Sequence, residues 1–133
     1  MSLFVDTSAM YAVMDASDAC HARAARTWAD VLRGSDSLIT TNYVLVEVTA
    51  LIQSRLGLRA VQLLARDVLP AIDVTWVDET CHRMGMAAVL GAGRRRLSLV
   101  DCVSFEVMNR LGIKTCFVFD THFRDQGFQC IPN

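Results

Sequence analysis

Short apolar runs alternate with longer helical stretches along this chain, and that alternation restricts the fold more than any other feature. Leu3-Phe4-Val5 is apolar throughout and stops at Asp6, as a strand buried on both faces would. Ser37 to Thr40, the β-branched stretch Ile72 to Val77, and Thr115 to Phe119 read as further strands, with a last one near Phe128 to Ile131. Helical patterns lie between them. From Ala19 to Leu32, Ala22, Ala25, Trp28, Ala29 and Leu32 recur at three- and four-residue intervals before Gly34. Tyr43 to Leu56 follows Thr41 or Asn42 as N-cap and precedes Gly57, and Leu58 to Leu69 is stopped by Pro70. Asp78 caps Glu79 to about Leu90, and Ser98 opens a helix to Leu111, ended by Gly112. Thr121 to Gln126 reads as a short turn. Strands alternating with helices predict an α/β/α sandwich around a mostly parallel sheet of four to five strands.

Length and composition agree with that fold. A chain of 133 residues without repeat or linker makes one domain, residues 1–133, and is large enough to bury its own core. The hydrophobic fraction of 53% excludes a disordered or low-complexity polymer. No apolar run reaches the roughly 18 residues a spanning helix needs, and the N-terminus has no secretion-signal pattern. A soluble, cytoplasmic protein is the expectation. The formal net charge of −1 indicates no strongly cationic nucleic-acid binder, and leaves room for a local basic patch. The mean hydropathy of +0.32 is high and hints at apolar surface covered by a partner. Five cysteines, with no Cys-x-x-Cys among them, read as buried thiols rather than a zinc site.

Acids inside apolar surroundings are costly, so four of them carry information. Asp6 and Asp120 each end a strand at the carboxyl edge of the sheet, where open parallel sheets bind ligands. Glu47 lies among Val44-Leu45-Val46 and Val48, and Asp101 is one turn into the Ser98 helix. Taken singly, three have ordinary explanations: Asp6 and Asp120 as helix or turn caps, and Ser98-x-x-Asp101 as a capping box. Glu47 has no capping role. Four carboxylates gathered at one edge would repel one another unless a cation offset them, which points to a hard divalent ion, Mg²⁺ or Mn²⁺. Such an ion activates water and neutralises a phosphodiester in hydrolysis. The hydroxyls of Thr7 and Ser8 are placed to orient a carboxylate or a water there.

Phe4-Val5-Asp6-Thr7-Ser8-Ala9, Thr41-Asn42-Tyr43-Val44-Leu45-Val46-Glu47, Leu97-Ser98-Leu99-Val100-Asp101-Cys102 and Phe119-Asp120-Thr121-His122-Phe123 carry a family resemblance over nearly the whole chain. The chain resembles the PIN-domain ribonucleases, and within them the toxins of VapBC-type toxin–antitoxin pairs. The resemblance implies a PIN-like fold with Asp6, Glu47, Asp101 and Asp120 as the catalytic, metal-holding acids. It also implies an Mg²⁺- or Mn²⁺-dependent endoribonuclease that cuts single-stranded or looped RNA, leaving a 5′-phosphate and a 3′-hydroxyl. A homodimer and a cognate antitoxin protein belong to the same expectation. The alternatives within the family are a PIN nuclease of RNA processing and a catalytically silent binding module.

Other folds that collect acids fit less well. A haloacid-dehalogenase phosphatase would want Asp-x-Asp where this chain has Asp6-Thr7-Ser8, and a receiver domain wants a lysine after a late strand, whereas Lys114 precedes one. Two further features are candidates for RNA contact. Arg94-Arg95-Arg96 precedes the Ser98 helix and reads either as a phosphate grip or as a solvated charge run. His122 is placed to shuttle a proton or touch RNA, with simple packing beside Phe123 as the plainer alternative.

Overall fold

A computed structural model describes residues 1–133. Five strands, β1 (Ser2–Val5), β2 (Ser37–Thr41), β3 (Asp73–Thr75), β4 (Thr115–Phe117) and β5 (Gln129–Ile131), form one sheet in the order β3-β2-β1-β4-β5. Every pairing is parallel, with Phe4 opposite both Ile39 and Cys116. Seven α-helices supply the crossovers: α1 (Thr7–Met14), α2 (His21–Arg33), α3 (Asn42–Leu56), α4 (Leu58–Leu63), α5 (Glu79–Ala92), α6 (Leu99–Leu111) and α7 (Thr121–Asp125). The predicted α/β sandwich is the observed one.

The central position of β1 explains its composition. Leu3, Phe4 and Val5 are all buried, and join a core with Val44, Val48 and Ile52 of α3, Phe105 and Met108 of α6, and Phe117 and Phe123. The sequence order puts β1 first and its neighbour β4 more than a hundred residues later, so the core closes only across the whole chain.

Three local readings change. α1 follows β1 directly and bears out Asp6 as a helix cap, although no pattern gives its extent; Thr7, Ala9, Met10, Tyr11 and Ala12 are all buried, so no polar face marks a helical period. The stretch predicted as one helix from Leu58 to Leu69 is α4, then a π-helical turn over Leu64–Val68, then a 3₁₀ turn over Leu69–Ala71 that holds Pro70. Proline has no N–H to continue the α pattern, and the wider turn keeps Leu64 and Val68 in the core. β3 ends at Thr75, at the sheet edge, and leaves Trp76 74% exposed. Four of the five cysteines are buried thiols as expected, but Cys20 is half-buried.

α5 and α6 pack closely through Gly85, where an added Cβ would lie 2.5 Å from Val103 Cγ2. That contact sets the position of α6, and α6 carries Asp101.

Candidate metal centre

Three of the four acids stand at helix N-termini. Asp6 caps α1, Asp120 caps α7, and Asp101 is the third residue of α6 in a capping box with Ser98. The capping explanations therefore hold in the folded chain. They do not compete with a metal site, because capping engages one oxygen of each carboxylate. Asp6 Oδ2 accepts from Ser8 N at 3.1 Å and Ser8 Oγ at 2.8 Å. Asp101 Oδ2 accepts from Ser98 N at 3.2 Å, and Asp120 Oδ1 from His122 N at 2.8 Å. The second oxygen of each carboxylate is left for another ligand. The positive ends of three helix dipoles favour the charged acids.

Strand ends and helix starts bring these residues together. Asp6 N donates to Phe117 O at 3.1 Å, which ties the end of β1 to the end of β4. Ser8 Oγ, besides donating to Asp6, accepts from Phe119 N at 3.0 Å and so joins the loops that carry Asp6 and Asp120. Thr40 Oγ1 donates to Val5 O at 2.8 Å and fixes β2 against the residue before Asp6. Thr7 is buried, and its Oγ1 has no hydrogen-bond partner.

The acids feel one another. Burial pushes the Asp6 carboxyl up from 3.8 to about 7, the Ser8 hydrogen bonds pull it part of the way back, and the charges of Asp101 and Glu47 push it further up. Asp101 is also raised, by burial first and then by Asp120, with His122 acting in the opposite sense.

Asp101, Asp120 and His122 form the tightest group, with one ligand atom from each lying within 4.8 Å of the others. His122 Nε2 is 3.8 Å from Asp120 Oδ1, and its Nδ1 is buried without a partner. Asp6 and Glu47 stand outside this group, and Asp6 meets it through the charge of Asp101. The place of His122 among the ligand-capable side chains was not expected; its only sequence signal is the two-residue spacing from Asp120. Glu47 is half-buried and borders a groove of about 360 Å³ with Asn42, Tyr43, Val46, His82 and Val100. Tyr43 Oη and His82 Nδ1 share a hydrogen bond across it. Arg94, Arg95 and Arg96 are exposed in the segment between α5 and α6.

A hard divalent cation fits this chemistry. Such ions take carboxylate oxygens, and here Asp101 and Asp120 offer them near the buried Asp6, with no arginine or lysine ion pair to any of the three. The unpartnered Thr7 Oγ1 and His122 Nδ1 are polar atoms still available to a ligand or its waters.

Known proteins share this fold. The PIN domain family model matches residues 3–129, and the chain belongs to the PIN-domain family. The 23S rRNA-specific endonuclease VapC20 of Mycobacterium tuberculosis, in each of two strains, is 34% identical over 127 residues, which cover 95% of both chains. The crystal structure of M. tuberculosis VapC20, described as a sarcin–ricin loop cleaving toxin, matches with a TM-score of 0.85 at 33% identity and covers 96% of each chain.

Proposed function

We propose that this protein is a divalent-metal-dependent endoribonuclease and the toxin of a toxin–antitoxin pair. The observation that carries the reading is the grouping of Asp101, Asp120 and His122 within 4.8 Å, with the buried Asp6 feeling the charge of Asp101 and each aspartate keeping one oxygen free of its cap. The likeness to a 23S rRNA-specific endonuclease along almost the full length supports the same reading and makes a looped ribosomal RNA the first substrate to try.

In this reading Asp101 and Asp120 hold the cation with His122, and Asp6 and Glu47 complete the negative charge around it. When bound, Mg²⁺ or Mn²⁺ supplies activation of water and neutralisation of the phosphodiester. Ser8 and Ser98 orient the carboxylates through the hydrogen bonds already described. Thr7 lends its free hydroxyl to a water or a carboxylate. Arg94, Arg95 and Arg96 contribute long-range attraction for RNA from the segment before α6. The protein acts as a homodimer restrained by a cognate antitoxin.

The test is cleavage of end-labelled RNA containing a sarcin–ricin-type hairpin, with Mg²⁺, with Mn²⁺ and with a chelator. Asp6→Asn/Asp101→Asn serves as the control against contaminating ribonuclease. Metal-dependent cutting by the wild type alone is the expected result. A folded wild type that binds no divalent ion and cuts neither this hairpin nor unstructured RNA would overturn the reading.

A further inference from the structure

Asp120 borders a second groove, of about 240 Å³, whose lining includes Cys20, Arg23, Phe119, Thr121 and Arg124. Two guanidinium groups thus meet one cavity from opposite ends of the sequence, Arg23 on α2 and Arg124 on α7. Arg33, Arg66, Arg83 and Arg110 are each paired with a carboxylate. Arg23 and Arg124 pair with no acidic side chain; Arg23 Nη2 donates to the backbone oxygen of Asn133, which also lines the groove, at 3.3 Å. The Arg23 guanidinium lies 5.5 Å over the centroid of the Phe119 ring, a cation–π contact that restrains it while leaving its remaining N–H groups free.

Two unpaired arginines beside an acidic centre solve a specific problem. RNA presents phosphates on both sides of any phosphate being cut, and carboxylates repel all of them. A cation relieves that repulsion at the reacting group but not at its neighbour along the strand. Guanidinium forks match phosphate oxygens in shape and charge.

We propose that Arg23 and Arg124 form a subsite beside Asp120 for the RNA phosphate adjacent to the scissile one. The subsite rests on the nuclease reading and extends it: both arginines are positioning residues that set where the strand lies over the carboxylates. Phe119 holds Arg23 in place from beneath.

The experiment measures RNA cleavage and binding by the full chain as wild type, Arg23→Gln, Arg124→Gln, the double variant, and Arg26→Gln as an exposed control outside the groove. Loss of either groove arginine is expected to raise KM about tenfold or more while kcat changes little. Each loss also flattens the dependence of log affinity on log salt by about 0.7. Arg23→Lys and Arg124→Lys keep the charge and should keep the salt slope while losing part of the affinity, which separates phosphate binding from a folding defect. A readout independent of cutting comes from Cys20, which lines the groove: its alkylation should slow when RNA is bound to wild type and not in the double variant. If the wild type cuts RNA and the Gln variants match it in KM and salt slope, the subsite falls and the nuclease stands. If the wild type neither binds nor cuts RNA, both fall.

Discussion

Ser8 holds Asp6 with two hydrogen bonds, from its amide at 3.1 Å and its hydroxyl at 2.8 Å, and the same hydroxyl accepts from Phe119 N. One side chain thereby couples the end of β1 to the segment that leads into Asp120. Ser8→Ala keeps the amide bond but removes the bridge and strands the Phe119 amide. The expected loss is about 1–3 kcal/mol in stability and roughly 10–100-fold in metal affinity or cleavage. Ser8→Thr should restore most of both. Thermal unfolding and metal titration check this, and unchanged metal affinity in a folded Ser8→Ala protein would refute it.

The Asp6 carboxyl, raised to about 7, gives the metal-free protein a definite pH dependence. The folded state keeps this proton between about 4 and 7 while the unfolded chain releases it. The folded state is therefore favoured below that window and loses that advantage as pH rises through it. The effect is on the order of 4 kcal/mol. Asparagine imitates the protonated acid, so the stability difference between wild type and Asp6→Asn should swing toward the variant as pH rises in chelator. Saturating Mg²⁺ should protect the wild type more above pH 7 than below pH 6, because the cation competes with the proton. Chelated wild type and Asp6→Asn with parallel unfolding profiles would contradict the assignment.

Asp101 and Glu47 both push Asp6 upward, with Asp101 the larger. Asp101→Asn should therefore bring the Asp6 titration down further than Glu47→Gln does, as read by carboxyl carbon chemical shifts in the metal-free protein. The reverse order would mean that Glu47, not Asp101, is the nearer electrical neighbour.

Helix packing offers a paired test away from the carboxylates. Gly85→Ala puts a methyl 2.5 Å from Val103 Cγ2, inside the α5–α6 contact. Overpacking of about 1–3 kcal/mol outweighs the roughly 1 kcal/mol helix-propensity gain. Gly91→Ala on the same helix meets nothing within 4 Å and should stabilise by up to about 1 kcal/mol. Denaturant unfolding of the two variants should shift in opposite directions.

Much of this was legible in the residues. Thr41, Asp78 and Ser98 cap the helices expected of them, and Gly112 ends α6 in a left-handed conformation at φ 69°. The acids at strand ends were readable because a charged residue closing a buried run has few places to go. α1 was readable only at its Asp6 cap, since a helix buried on nearly every side has no polar stripe to reveal its length. His122 beside Asp101 and the convergence of Arg23 with Arg124 were hidden for another reason: they depend on how distant segments meet, and no local spacing records that.

The sheet order has a consequence in time. β1 is made more than a hundred residues before its neighbour β4, and Asp120 and the β5 edge follow later still. A growing polypeptide that has reached α6 still lacks one wall of the centre, and its first strand waits with one side open. For a chain that we propose attacks RNA, the centre thus stays incomplete until β4, Asp120 and β5 have been made and have docked beside β1.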